Sequence, residues 1–177
     1  MKHKEEMEDL DQQEIKTIEI IEDYVDEAFE NEVLKLIPKR LANGKGRNQI
    51  LRFGNNRPYN DHIISNTIPS IFDRFKDSFV YDSITINEYY PNQTINWHID
   101  HPLELKEIII ISLLSPAEIK FRKKEGNLSA TKSFYLPRYS LCKFSDELRY
   151  DWEHSLTASQ KRYSIVFRNS KDLKNDI

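Results

Sequence analysis

Arg162-Tyr163-Ser164-Ile165-Val166-Phe167-Arg168 decides how the rest of the chain is read. Its β-branched and aromatic residues favour an extended backbone, which sends alternate side chains to opposite faces. Arg162, Ser164, Val166 and Arg168 then share one face, while Tyr163, Ile165 and Phe167 share the other. Two arginines pointing inward from a buried strand are costly unless anionic partners meet them. A dicarboxylate would supply two such groups, and guanidinium suits bidentate carboxylate recognition. The alternative is a strand end whose arginines reach solvent or structural ion pairs.

Upstream, the same kind of short strand recurs. Residues 83–90, 108–114, 118–122, 132–136, 140–144 and 150–155 are β-branched or aromatic runs divided by turn residues. Before them, residues 26–39 read as a helix, with Phe29, Val33, Leu34 and Ile37 on one face and Pro38 and Asn43-Gly44 at its end. Residues 64–75 read as a second helix, residues 18–21 as an edge strand, and residues 49–53 as a brief strand among the loops of 42–62. Helices followed by many strands imply an α+β fold whose strands close into a barrel or sandwich. No glycine-rich phosphate loop or dinucleotide fingerprint is present: Gly44-Lys45-Gly46 lacks the required spacing and ending.

The 177 residues suit one domain, expected at 17–168 between an acidic, disordered tail at 1–16 and a polar tail at 169–177. No apolar run approaches the roughly 20 residues of a membrane span. The N-terminus lacks the apolar stretch of a secretory signal, and the single Cys142 cannot close an intrachain disulfide. The expectation is an intracellular protein, cytoplasmic or nuclear. The net charge of −3 conceals an asymmetry: residues 1–32 hold 13 acidic and 3 basic side chains, and the remainder hold 16 and 23. A basic body fits a polyanionic partner; it equally fits a solubilising charge balance.

A second constellation lies upstream of the paired arginines. In Trp97-His98-Ile99-Asp100, His98 and Asp100 are two residues apart and share a face on an extended backbone. With His154 they can supply the two histidines and one carboxylate that hold a non-haem Fe(II) with open coordination positions. Asn87 and Tyr89, also two apart, can each point a donor into the same cavity. His101 is expected in a supporting or surface role, Trp97 in the core opposite His98, and Trp152 packed in the barrel. His3 and His62 are expected to be exposed.

Taken in order, Asn87-x-Tyr89, Tyr90-Pro91, Ile95-x-x-His98-x-Asp100, Ile110-x-Ser112-Leu113, Leu136-Pro137-Arg138, His154 and Arg162-x5-Arg168 resemble the AlkB-type 2-oxoglutarate dioxygenases. The paired arginines, eight and fourteen residues past the distal histidine, are the specific element. The resemblance covers 83–168, with a weaker echo at 47–54. It implies a double-stranded β-helix (a cupin-like jelly roll) with N-terminal helices and a substrate lid. It further implies Fe(II) on His98, Asp100 and His154, 2-oxoglutarate among Asn87, Tyr89, Arg162, Ser164 and Arg168, and O2 as second co-substrate. Asn92 stands where the family usually carries glycine; asparagine tolerates left-handed backbone angles, so the turn is expected to survive. Pro102 replaces an acidic residue typical of the DNA-repair members, which weakens the transfer of alkyl-base repair. Leu136-Pro-Arg-Tyr-Ser140 and Arg149-Tyr-Asp-Trp-Glu-His154 look like the subgroup that hydroxylates a modified wobble uridine in tRNA.

The expected reaction is hydroxylation or oxidative demethylation of a nucleobase in RNA, tRNA included, or in single-stranded DNA. Arg47, Arg52 and Arg57 with Phe53 and Tyr59 mix charges for phosphate with rings for base stacking, Phe53 being the stacking candidate; ordinary solvated loop residues would look the same. Arg138 and Arg149 are further substrate candidates. Lys120, Arg122, Lys123 and Lys124 form either a phosphate rim or a charged hairpin tip. Competing readings are a protein or small-molecule hydroxylase on the same scaffold, and a non-catalytic nucleic-acid-binding module. The intact His98, Asp100, His154, Arg162 and Arg168 argue against the last.

Overall fold

A computed structural model describes residues 17–38, 50–55, 59, 62–102, 106–126 and 128–170. The acidic segment 1–16, most of the 42–62 loop region with Arg47 and Arg57, and the end of the polar tail lie outside the described residues. In chain order the elements are β1 (Ile18–Ile21), α1 (Glu27–Lys35), β2 (Ile50–Gly54), β3 (Ile63–Ser65), a 3-10 helix (Ser70–Phe75), β4 (Ser83–Tyr89), β5 (Gln93–His98), β6 (Ile108–Leu113), β7 (Ala117–Glu125), β8 (Leu128–Leu136), β9 (Leu141–Phe144), α2 (Asp146–Tyr150), β10 (Glu153–Ala158) and β11 (Arg162–Arg168).

These strands form a seven-stranded sheet, β1-β9-β6-β11-β4-β2-β3, and a four-stranded sheet, β5-β10-β7-β8. All pairings are antiparallel except β2 with β3. The sheets meet over an apolar core in which Ile108, Ile110, Phe144 and Val166 of the larger sheet pack with Ile119, Phe121 and Leu156 of the smaller. This is the jelly-roll, double-stranded β-helix arrangement. A second core covers the other face of the larger sheet, where Phe29 and Val33 of α1 and Phe72 and Phe75 of the 3-10 helix pack on Ile84, Ile111, Ile165 and Phe167. Strand β11 sits between β4 and β6, so its alternation decides what enters each core: Tyr163, Ile165 and Phe167 go outward to the helices and Val166 inward.

The ends of α1 follow local rules. Asp26 caps it, its carboxylate accepting the Phe29 N–H at 2.9 Å, a cap worth about 1 kcal/mol. Buried Glu30 accepts the Leu114 N–H at 2.8 Å and the Arg138 Nε–H at 3.1 Å, tying the helix to two turns whose residues Leu114 and Tyr139 have positive φ.

The helix expected at 64–75 does not form as such. Ile68 precedes Pro69, which disfavours helical angles at residue 68, and the Thr67 N–H turns back to Ser65 Oγ at 3.0 Å. The segment divides into β3 and a 3-10 helix that starts after Pro69. The strand expected at 150–155 begins later, at Glu153, because α2 occupies 146–150. Strand β5 was not foreseen from its polar sequence and forms by pairing with β10. A bulge in that pairing turns Trp97 to the outside, where it is half-buried under the Arg122 guanidinium at 4.5 Å rather than in the core. Asn92 does adopt a left-handed φ of 63°, and the turn closes with the Gln93 N–H donating to Tyr90 O at 3.0 Å.

Gly54 and Gly126 both have positive φ, but their surroundings differ. A Cβ on Gly54 would sit 2.4 Å from the Asp82 carbonyl oxygen, while one on Gly126 would meet nothing within 4 Å. Gly126→Ala should therefore carry only the backbone penalty, about 1 kcal/mol. Gly54→Ala adds a backbone clash and should cost at least about 3 kcal/mol. Urea midpoints at unchanged m-value are the measurement, and equal midpoints for the two variants would contradict this account.

Candidate active site

The site lies where the smaller sheet ends against β4 and β11. His98 closes β5 and stands in register with His154 on β10, their ring centroids 4.3 Å apart. Asp100 follows β5 and turns back toward both. One donor atom from each of these three residues lies within 4.8 Å of the others. Both Nε2 atoms face the same carboxylate oxygen, Asp100 Oδ1, at 3.2 Å for His98 and 3.7 Å for His154. His98 Nδ1 is 2.7 Å from the Asn96 carbonyl. A carbonyl only accepts, so Nδ1 carries a proton, which makes Nε2 the ligating nitrogen whenever the ring is neutral. Asp100 and His154 are buried while His98 is partly exposed, so the cluster opens on the His98 side.

Electrostatics keep Asp100 ionised and His154 neutral near neutrality. Burial is the largest single influence and would raise the Asp100 pKa, but Arg168, His98 and His154 together outweigh it and hold the carboxyl well below the usual range. Arg168 donates Nε–H and Nη2–H to Asp100 Oδ2, each at 3.0 Å. Burial near the Phe121 and Phe144 rings pushes His154 down to about 4. His98 moves upward: burial opposes protonation, and its contact with Asp100 overrides that.

Beside the triad runs a narrow cavity lined by Asn87, Tyr89, Ser164 and Arg168, with Ile108, Ile110, Ile119 and Leu156 as apolar walls. The ladder puts Asn87 opposite Ser164 and Tyr89 opposite Arg162. Arg162, wholly buried, lies 5.5 Å from the Tyr89 ring centroid and donates Nη2–H to Ser112 Oγ at 2.7 Å. Its Nε and Nη1 have no hydrogen-bond partner, nor does Ser164 Oγ. Burial lowers the Arg162 pKa to about 10, which leaves it charged at neutral pH. Buried donors in native folds are almost always paired, and a carboxylate is the group that satisfies a bare guanidinium edge.

The two arginines singled out in the sequence therefore act differently. Arg162 keeps buried donors unsatisfied, whereas Arg168 lines the cavity and is bound to a metal-ligand candidate. Arg52 shares Thr85 Oγ1 with Arg168, at 3.2 and 3.3 Å, and both guanidiniums approach the Tyr59 ring, at 4.3 and 6.0 Å. The other substrate candidates go elsewhere. Phe53 packs in the outer core and offers no free face. Arg138 is engaged by Glu30. Arg149 is buried against the backbone carbonyls of Asp100 and His101. Arg47 lies outside the described residues. Thr85 and Ser112 had no assigned role in the sequence; Thr85 sits two residues before Asn87, and the period-two rule alone would have put it on the cavity face.

The family model described as 2OG-Fe(II) oxygenase superfamily matches residues 22–172, and the chain belongs to that superfamily. It is a 2-oxoglutarate-dependent dioxygenase, with Fe(II) as metal and 2-oxoglutarate and O2 as co-substrates, and it is similar to AlkB-type proteins. Protein L905 of Acanthamoeba polyphaga mimivirus, itself uncharacterized, is 28% identical over 180 residues, covering 85% of this chain and 83% of that one. The tRNA (carboxymethyluridine(34)-5-O)-methyltransferase ALKBH8 of Macaca fascicularis is 32% identical over 114 residues, 59% of this chain and 17% of the relative. Its Mus musculus counterpart is 42% identical over 77 residues, 43% of this chain and 11% of the relative. The chain thus spans less than a fifth of either ALKBH8 protein. The solved structure of OsALKBH1 superposes with a TM-score of 0.62 at 15% identity, covering 86% of this chain and 98% of that one, and so shares the fold.

The donor set fits Fe(II) and the bare edge of Arg162 fits a carboxylate of 2-oxoglutarate. Arg162→Met removes a buried cation and keeps the volume, a change often neutral or stabilising without ligand. The variant should melt no lower than the wild-type chain yet lose at least about 100-fold in 2-oxoglutarate affinity, as expected for two lost charge-assisted hydrogen bonds. Calorimetric titration beside thermal melting measures both. Unchanged affinity would remove Arg162 from the co-substrate site.

Proposed function

We propose that the chain hydroxylates or oxidatively demethylates a nucleobase in RNA, with tRNA as the first substrate to test, using His98, Asp100 and His154 for iron and Asn87, Tyr89, Arg162, Ser164 and Arg168 for 2-oxoglutarate. The observation that carries the reading is the similarity to ALKBH8, whose name places it on carboxymethyluridine 34 of tRNA. The excess of basic residues beyond residue 32 supports a polyanionic substrate. On β7 that charge is partly neutralised: Lys120 pairs with Glu118, and Arg122 with Glu153.

Bound Fe(II), 2-oxoglutarate and O2 would supply an oxidant for C–H bonds, one oxygen atom ending in succinate and the other in the hydroxylated substrate, with CO2 released. The chain's part is to hold and shield. Arg162 anchors the far end of the co-substrate, Asp100 is kept ionised by Arg168, and the apolar walls keep bulk water from the reacting position. Hydroxylating an N-methyl group gives a hemiaminal that releases formaldehyde; hydroxylating a C-methylene leaves a stable alcohol.

Succinate formation from 2-oxoglutarate, with Fe(II) and ascorbate, tests the reading with and without bulk tRNA or N-methylated single-stranded DNA. Stimulation by tRNA, abolished in His154→Ala, is the expected result. Stimulation by the DNA alone would move the substrate to single-stranded DNA. Iron-dependent turnover indifferent to both nucleic acids would reject a nucleobase substrate in favour of a protein or small molecule.

A further inference from the structure

Asp100 lies two residues beyond the end of β5, outside the β-ladder that positions His98 and His154. Something other than strand pairing must set its place. Arg168 holds its carboxylate from the larger sheet. Its main chain is held by Arg149, which comes from α2 and is only 1% exposed. Arg149 donates Nη1–H to the Asp100 carbonyl at 3.2 Å and Nη2–H to the His101 carbonyl at 2.8 Å. The next residue makes a further backbone contact: the Tyr150 hydroxyl accepts the Lys106 N–H at 2.8 Å. The guanidinium lies 4.8 Å from the Tyr150 ring centroid, so the two side chains brace each other.

We infer that Arg149 and Tyr150 are positioning residues for the metal centre, a clamp that fixes Asp100 by holding the Asp100 and His101 carbonyls and the Lys106 N–H. The clamp is rigid because α2 is. Leu148 and Trp152 are buried in the inner core, and the helix closes with the Asp151 and Trp152 N–H groups donating to Glu147 O, at 2.8 and 3.2 Å. It is coupled to a second ligand because α2 leads directly into β10, which carries His154. One short helix therefore ties the loop bearing Asp100 to the strand bearing His154. A planar guanidinium suits the task, since its fork addresses two neighbouring carbonyls at once, which a lysine ammonium does not do in fixed geometry. Neither residue touches the reacting position; they act through Asp100. The role rests on His98, Asp100 and His154 being the metal ligands.

The test needs neither nucleic acid nor turnover. Co(II) is titrated into the wild-type chain and into Arg149→Met, Arg149→Lys and Tyr150→Phe, reading affinity and the ligand-field absorption spectrum, with melting recorded on the same samples. Arg149→Met is expected to weaken Co(II) binding about 10- to 100-fold, the range for supporting partners of metal ligands, and to alter the spectrum. Arg149→Lys should recover part of the affinity, and Tyr150→Phe should lose several-fold. Glu30→Gln, which loosens the fold without touching the triad, should lower the melting temperature and leave affinity and spectrum alone. Tyr150→Phe removes a single hydrogen bond and keeps the test decisive if Arg149→Met does not fold. Folded Arg149 and Tyr150 variants that match wild-type Co(II) affinity within twofold, with the same spectrum, would overturn the clamp. A wild-type chain that binds no Co(II) would instead remove the metal site itself, and the clamp with it.

Discussion

Between the two sheets, a carboxylate that is 3% exposed must stay ionised to be of use to a metal. In that setting burial alone favours the protonated acid. The bidentate contact from Arg168 is the largest of the contributions that, with those of His98 and His154, reverse the balance, and the rest of the site depends on it. It fixes which oxygen of Asp100 is engaged and leaves the other facing the two histidine Nε2 atoms. It also dictates what surrounds it. Arg168 must come from a strand central enough to reach inward, and β11, flanked by β4 and β6, is such a strand.

The same strand carries a second buried cation with the opposite logic. Arg162 has one partner in Ser112 and two donor positions without one, so the fold by itself leaves it unsatisfied. An unsatisfied buried guanidinium lowers stability. Its persistence makes sense where a dianionic co-substrate completes it. On the proposed reading, one arginine holds the metal-ligand candidate Asp100 and the other receives a carboxylate of the co-substrate.

The supporting structure is asymmetric. The histidines are held by strand register, which is stiff, whereas Asp100 is held by side chains reaching across from β11 and α2. Aromatic packing of α1 and the 3-10 helix on the outer face of β11 keeps that strand from shifting, so Phe29, Phe72, Phe75 and Phe167 bear on the site without lining it.

Much of this was readable without coordinates, for a definite reason. Period-two alternation over Arg162–Arg168 fixes which side chains enter the inner core, and the same rule groups Asn87 with Tyr89. These are local geometric facts carried by the sequence. It could not carry the division of labour between Arg162 and Arg168, because that turns on Asp100 and Ser112 reaching them from distant parts of the chain. Nor could it place Arg149, Arg138 or Phe53, each of which looks like a surface or substrate residue until its long-range partner is known: the Asp100 and His101 carbonyls, Glu30, and the outer core. The helix expected at 64–75 failed because an apolar pattern does not register a proline's constraint on its neighbour. Trp97 faces outward because a bulge breaks the alternation that the sequence assumes. The sequence by itself determined the chemistry on offer, two histidines, a carboxylate and two inward arginines. Tertiary structure alone decided which charges are satisfied by the protein and which remain for a ligand, since burial and pairing are properties of residues brought together from far apart.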